Sequence, residues 1–185
     1  MGELWAFSKS GSRPYKVRSE APGASAELAL ALRTLWRQEG APELILCVGT
    51  DRSTGDALGP LVGSALERNH PRPYQVLGTL ERPVHATNLI AQMKHDARLR
   101  HARILGIDAS LGRLDDVGII TVGLGPLRPG AGVQKQLPAV GHYHLVATVN
   151  VGGFMEYFVL QNTRLSTVMS MAAVITDAIT RSLTT

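Results

Sequence analysis

The sequence predicts an α/β fold, a three-layer, mostly parallel sheet flanked by helices, on three observations. First, Leu44-Ile45-Leu46-Cys47-Val48 and Ile104-Leu105-Gly106-Ile107 are apolar throughout, as strands covered on both faces are. Second, stretches with helical spacing alternate with such runs, the order that builds a parallel sheet between helical layers. Third, each of the two runs ends in a polar segment bearing aspartate, Asp51 and Asp56 after the first and Asp108 after the second. Open α/β sheets place their ligands at that carboxyl edge.

Residues 1–24 mix Ser, Gly, Pro and basic side chains and read as an irregular N-terminal arm with room for one short docked strand. The remainder, 25–185, reads as a single domain. Ser25 can cap a helix to about Gln38, with Leu28, Leu32, Leu35 and Trp36 on one face and Gly40 as its stop. A first strand over 43–49, a glycine-bearing loop and a helix over 56–68 follow. A second strand is expected over 74–80, then a loop over 81–86 and a helix capped by Thr87 or Asn88 through about Leu99. Strands over 102–107, 117–124 and 143–149 come next. The stripe of Leu165, Val168, Met169, Ala172, Ile175, Ile179 and Leu183 marks a closing helix over 163–183.

With 185 residues, 44% hydrophobic and 18% charged, the chain is long and apolar enough for a proper core. The low charged fraction points to a homo-oligomer. The net charge of +4 comes from scattered basic residues without a stripe, so specific nucleic-acid binding is not expected. Cys47 is the one cysteine, and its apolar run suits a buried hydrophobe rather than a nucleophile. No apolar run approaches the ~18 residues of a membrane span, and no signal core stands at the N-terminus. A cytoplasmic protein is the expectation.

The segment 49–60 matches neither the dinucleotide nor the P-loop pattern, since no lysine follows its glycines. Its chemistry lies in its acids. Asp56 and Asp108, brought to one sheet edge, can split their pKa values and perform hydrolysis. Asp56 at a helix start also suits an N-cap, worth about 0.5–2 kcal/mol over alanine. The helix dipole there favours its ionised form, leaving Asp108, if drier, as the proton carrier. Asp51 is the alternative partner, being nearer the strand end. Arg52 and Arg113 are candidates for stabilising negative charge, and His85 leaves the same edge. A divalent metal held by Asp56, Asp108 and a histidine (His85, His142 or His144) is a second option, though neither a His-Glu-x-x-His motif nor a cysteine pair supports it.

Three stretches carry a family resemblance over about 42–182. Cys47-Val48-Gly49-Thr50-Asp51-Arg52-Ser53-Thr54-Gly55-Asp56-Ala57-Leu58-Gly59-Pro60 resembles a signature of the YyaC-type sporulation proteins, and its Asp-Ala-Leu-Gly-Pro end is shared with the spore germination protease. Gly78-Thr79-Leu80-Glu81-Arg82-Pro83-Val84-His85-Ala86-Thr87-Asn88-Leu89 resembles a second YyaC-type motif. Ile107-Asp108-Ala109-Ser110-Leu111-Gly112-Arg113 and Pro129-Gly130-Ala131-Gly132-Val133 are similar in order and spacing to the germination protease. That group is related in fold to the hydrogenase maturation proteases, which implies a hydrogenase-maturation-protease-like, phosphorylase/hydrolase-like architecture. The resemblance implies a sporulation-associated endopeptidase of a sporulating cell or forespore, acting on a protein or peptide without a cofactor. Its catalytic acids would be Asp56 and Asp108, with Asp51, Arg52, His85, Asn88 and Arg113 in support. The alternatives it implies are a non-catalytic peptide- or metal-binding relative, or a metal-dependent hydrolase using Asp56, Asp108 and His85.

Overall fold

A computed structural model describes residues 13–69, 72–130 and 137–183. Its six strands are β1 (Tyr15–Arg18), β2 (Leu44–Cys47), β3 (Gln75–Leu77), β4 (Ile104–Gly112), β5 (Ile119–Leu124) and β6 (Tyr143–Val151). They form one sheet in the order β1-β5-β6-β4-β2-β3. The neighbours from β6 through β4 and β2 to β3 are parallel, while β5 runs antiparallel to both β6 and β1. The helices are α1 (Ala24–Glu39), α2 (Leu58–Arg68), α3 (Leu89–His95), α4 (Arg98–His101), α5 (Glu156–Gln161) and α6 (Leu165–Leu183).

Strand alternation divides the core in two. Ile45 and Cys47 of β2, with Leu105 and Ile107 of β4, join α1, α2 and α6 on one face. Leu44, Leu46 and Val48 turn to the other face, where Leu89 and Leu99 cover them together with Leu127 and Val140. Both faces of β2 are therefore buried, which is why that strand reads as an unbroken apolar run. The three-layer α/β prediction holds.

Several boundaries differ from expectation for local reasons. The arm residues Tyr15–Arg18 form the docked strand, pairing with β5 in antiparallel register. Gly23, in the left-handed region at φ 80°, occupies the N-cap of α1, and Ser25 lies inside the helix. The helix expected to run to Leu99 breaks at Asp96, whose Oδ1 accepts from the Arg98 N–H at 3.0 Å and starts a new turn. β4 runs five residues beyond Ile107, to Gly112, because β6 continues beside it through a register shift at Ser110/Leu111. Asp108 is thus inside a strand rather than after one. The expected strand over 117–124 is antiparallel, and α5 was not foreseen.

Candidate active site

β2 and β4 are in register to Cys47↔Ile107, where β2 ends. Asp108 is the next residue of β4, so it stands over the spot that β2 vacates. Alternation places it on the same side as Gly106. Only 7% of Asp108 is exposed. Its Oδ1 accepts from the Ala109 N–H at 2.9 Å and its Oδ2 from the Gly130 N–H at 3.3 Å.

The loop after β2 folds back on itself to bring Asp56 to the same place. Gly49 sits at φ 142° and its N–H donates to Val84 O at 2.8 Å. The Thr50 N–H donates to Asp56 O at 3.2 Å and closes the loop. A Cβ on Gly49 would stand 2.0 Å from that same Asp56 oxygen, so glycine is required by space as well as by φ. The Gly55 N–H reaches Leu160 O of α5 at 2.9 Å and fixes the loop's far side. α2 starts only at Leu58, with Ala57 at its N-cap and no side-chain cap. Asp56 therefore does not cap the helix, a correction to the local reading. Among the described residues no hydrogen bond holds its carboxylate.

The two acids line one cavity of about 60 Å³, together with His85, Ser110, Leu137 and Leu160. That is room for a few waters. Burial, and then the Asp56 charge, push Asp108 up from 3.8 to about 8, against the lowering effect of the Gly130 and Ala109 N–H groups. Burial also raises Asp56. Near neutral pH Asp108 therefore holds a proton.

His85 arrives by a braced loop. Val84 bridges Val48 beyond the end of β2. Asn88 accepts from the His85 N–H at 2.8 Å and donates to Pro83 O at 3.0 Å. Asn88 thus holds the loop and does not line the cavity itself. The Thr87 N–H points at His85 Nδ1 at 3.3 Å, and an N–H can only donate. The Thr87 hydroxyl lies 2.8 Å from the same ring nitrogen, so Thr87 fixes how the ring is turned.

Asp51 and Arg52 do not join the site, because closing the loop through Thr50 and Asp56 leaves both exposed on its outer turn. Arg113 follows the end of β4 and is exposed as well. His142 Nδ1 accepts from the Ile104 N–H, at the opposite end of the strands. Among the described residues no three His, Cys, Asp or Glu side chains are grouped to hold a metal ion. Cys47 is buried, and burial pushes its thiol up and away from reactivity. Sequence reasoning missed Leu160, whose short helix carries no distinctive pattern, and Gly130 as a donor to Asp108. Residues 131–133 of the third motif lie outside the described residues.

Comparisons with known proteins place the chain among relatives. The model of the family described as "Protein of unknown function (DUF1256)" matches residues 16–178. The "Uncharacterized protein YyaC" of Bacillus subtilis (strain 168) is 45% identical over 168 residues, covering 90% of this chain and 82% of that protein. Among solved structures, the [NiFe] hydrogenase maturation protease HycI from Thermococcus kodakarensis KOD1 aligns with a TM-score of 0.47 and 11% identity, covering 81% of this chain and 99% of that one. No helix among the described residues is long and apolar enough to cross a membrane.

Proposed function

We propose that this chain, which belongs to the DUF1256 family, is a peptidase that hydrolyses peptide bonds with the Asp56–Asp108 pair. The observation that carries the reading is that one small cavity holds both acids, with Asp108 raised by burial and by Asp56. Two carboxylates in that relation supply a base and an acid at one pH. Asp56, ionised, takes a proton from a water in the cavity as its oxygen attacks the carbonyl carbon. Asp108 gives its proton to the carbonyl oxygen. The tetrahedral intermediate then expels the amine, which takes the proton held by Asp56, while the hydroxyl proton returns to Asp108. His85, which lines the same cavity, donates a ring N–H to the developing oxyanion.

Leu111, Leu137 and Leu160 give the cavity an apolar wall suited to an aliphatic side chain beside the scissile bond. The motif resemblance to the spore germination protease supports the same two acids and a setting in a sporulating cell. The test is cleavage of spore-type and unrelated proteins by wild type, Asp56→Asn and Asp108→Asn, with and without chelator. Cleavage by wild type alone, indifferent to chelator, supports the two-aspartate peptidase. Loss with chelator and recovery with a divalent ion would transfer the site to a metal-dependent hydrolase. Tight binding of a peptide without turnover at any pH would make the protein a non-catalytic binder.

A further inference from the structure

Asp108 borders a second cavity. β4 lies between β2 and β6, and the catalytic cavity opens toward β2, where Val48, Gly49, Asp56 and His85 stand. The other cavity shares Asp108, Ala109 and Ser110 with it but opens toward β6. It is the roomier of the two, at about 300 Å³. Pro126, Leu127 and Val146 form an apolar wall, and Ser110, Arg128 and His144 supply the polar groups. An extended polypeptide with its scissile bond at Asp108 would thus have a walled pocket on each side of β4.

The chemistry of the second pocket is set by Arg128. Its side chain is exposed, and no ion pair or hydrogen bond engages it among the described residues. The described acids that do meet a cation pair with Lys16, Arg82, Arg98 or Arg181, all outside this pocket. Among the described residues Asp108 is the one acid in the lining, and near neutral pH it holds a proton. His144 donates through Nδ1 to Gly125 O at 3.2 Å, since a carbonyl only accepts, and is thereby anchored to the turn that carries Arg128. Arg128 lines the same pocket as Asp108 without pairing with it, which leaves the guanidinium for a group of the substrate.

We propose that the cavity between β4 and β6 is a specificity subsite that binds a carboxylate of the polypeptide substrate through Arg128. The inference rests on the peptidase reading for its substrate and adds what that substrate must carry. A guanidinium matches a carboxylate with two parallel N–H···O bonds, which gives direction as well as attraction. The apolar wall accommodates the stem that brings the carboxylate in. The carboxylate belongs either to an acidic side chain or to the chain's own terminus.

The experiment compares matched peptides, identified from the cut sites of wild type in a mixed peptide library read by mass spectrometry. Each pair differs by Glu against Gln at one position, or by a free against an amidated C-terminus. Wild type is expected to prefer the carboxylate form in one of the two series by roughly tenfold in kcat/KM, as for a charged hydrogen bond. Arg128→Gln should reduce that preference to about twofold or less. Equal cutting of both forms by wild type, or a preference that survives Arg128→Gln, would overturn the subsite. A second arm does not depend on catalysis. The Arg128 Nε–H resonance of wild type is followed while N-acetylglutamate α-amide or N-acetylglutamine α-amide is added. A response to the acid alone supports the subsite even if no peptide is cut, in which case the peptidase reading fails by itself. N-acetylalanine and N-acetylalaninamide are titrated likewise, and equal response to acid and amide in both pairs, or to none of the four, overturns the subsite.

Discussion

Replacing Asp108 by Asn should change how stability depends on pH more than it changes stability at any one pH. In the unfolded chain Asp108 ionises near its ordinary 3.8, whereas in the fold burial and Asp56 hold its proton until about 8. Between those values the folded state binds one proton more than the unfolded state. Folding stability is therefore fullest below about pH 4 and declines as pH rises toward 8. The slope for one proton is about 1.4 kcal/mol per pH unit, or about 3 kcal/mol across the two units from pH 5 to 7. Asp56, also raised by burial, adds in the same direction. Asp96 and Asp177, lowered chiefly by Arg98 and Arg181, act in the opposite sense and only at more acid pH. Asp108→Asn keeps the acceptor for Ala109 and loses the longer bond from Gly130, because the amide nitrogen only donates, at a cost of about 1 kcal/mol. The variant should be slightly less stable than wild type near pH 4 and more stable from about pH 5 upward, by a margin that widens toward pH 8. Urea unfolding at a series of pH values reads this directly. Two parallel curves would refute the reasoning, because they would mean that Asp108 ionises alike in both states.

Asp56→Asn removes the charge beside Asp108, so the Asp108 midpoint should fall below about 8 yet stay above 3.8, burial being the larger cause. Carboxyl ¹³C titration follows it, and cleavage by the variant should drop by at least about a hundredfold. Gly49→Ala puts a Cβ 2.0 Å from Asp56 O at a φ of 142°. A loss of roughly 2 kcal/mol or more in thermal or urea unfolding is expected, or failure to fold. Asn88→Ala removes the brace between the His85 N–H and Pro83 O. It should cost about 1–2 kcal/mol of stability and reduce kcat more than it raises KM, since it frees the loop that aims His85.

The parts of the fold most legible in the sequence are those where burial is complete. The β2 run and the α6 stripe announce themselves because every inward position is apolar. Asp56 and Asp108 could be paired because the register of two parallel strands fixes which residues reach the same edge. Asp51 and Arg52 misled because nearness in sequence to a strand end says nothing of the hydrogen bond from Thr50 to Asp56 that turns them outward. The length of β4 depended on its partner β6, a distant segment, and so was not readable locally. The pocket that Arg128 lines gave no signal in sequence either, since Asp108 and His144 reach it from two different strands.

If Asp56 works ionised while Asp108 works protonated, the pH dependence of kcat/KM for peptide cleavage must carry the mark of both. That profile reports the free enzyme's essential acid and base. A bell is expected whose alkaline limb falls near pH 8, where Asp108 gives up its proton, and whose position does not move with chelator. A rate that holds level or climbs through pH 8 would contradict it, because Asp108 could not then be the acid.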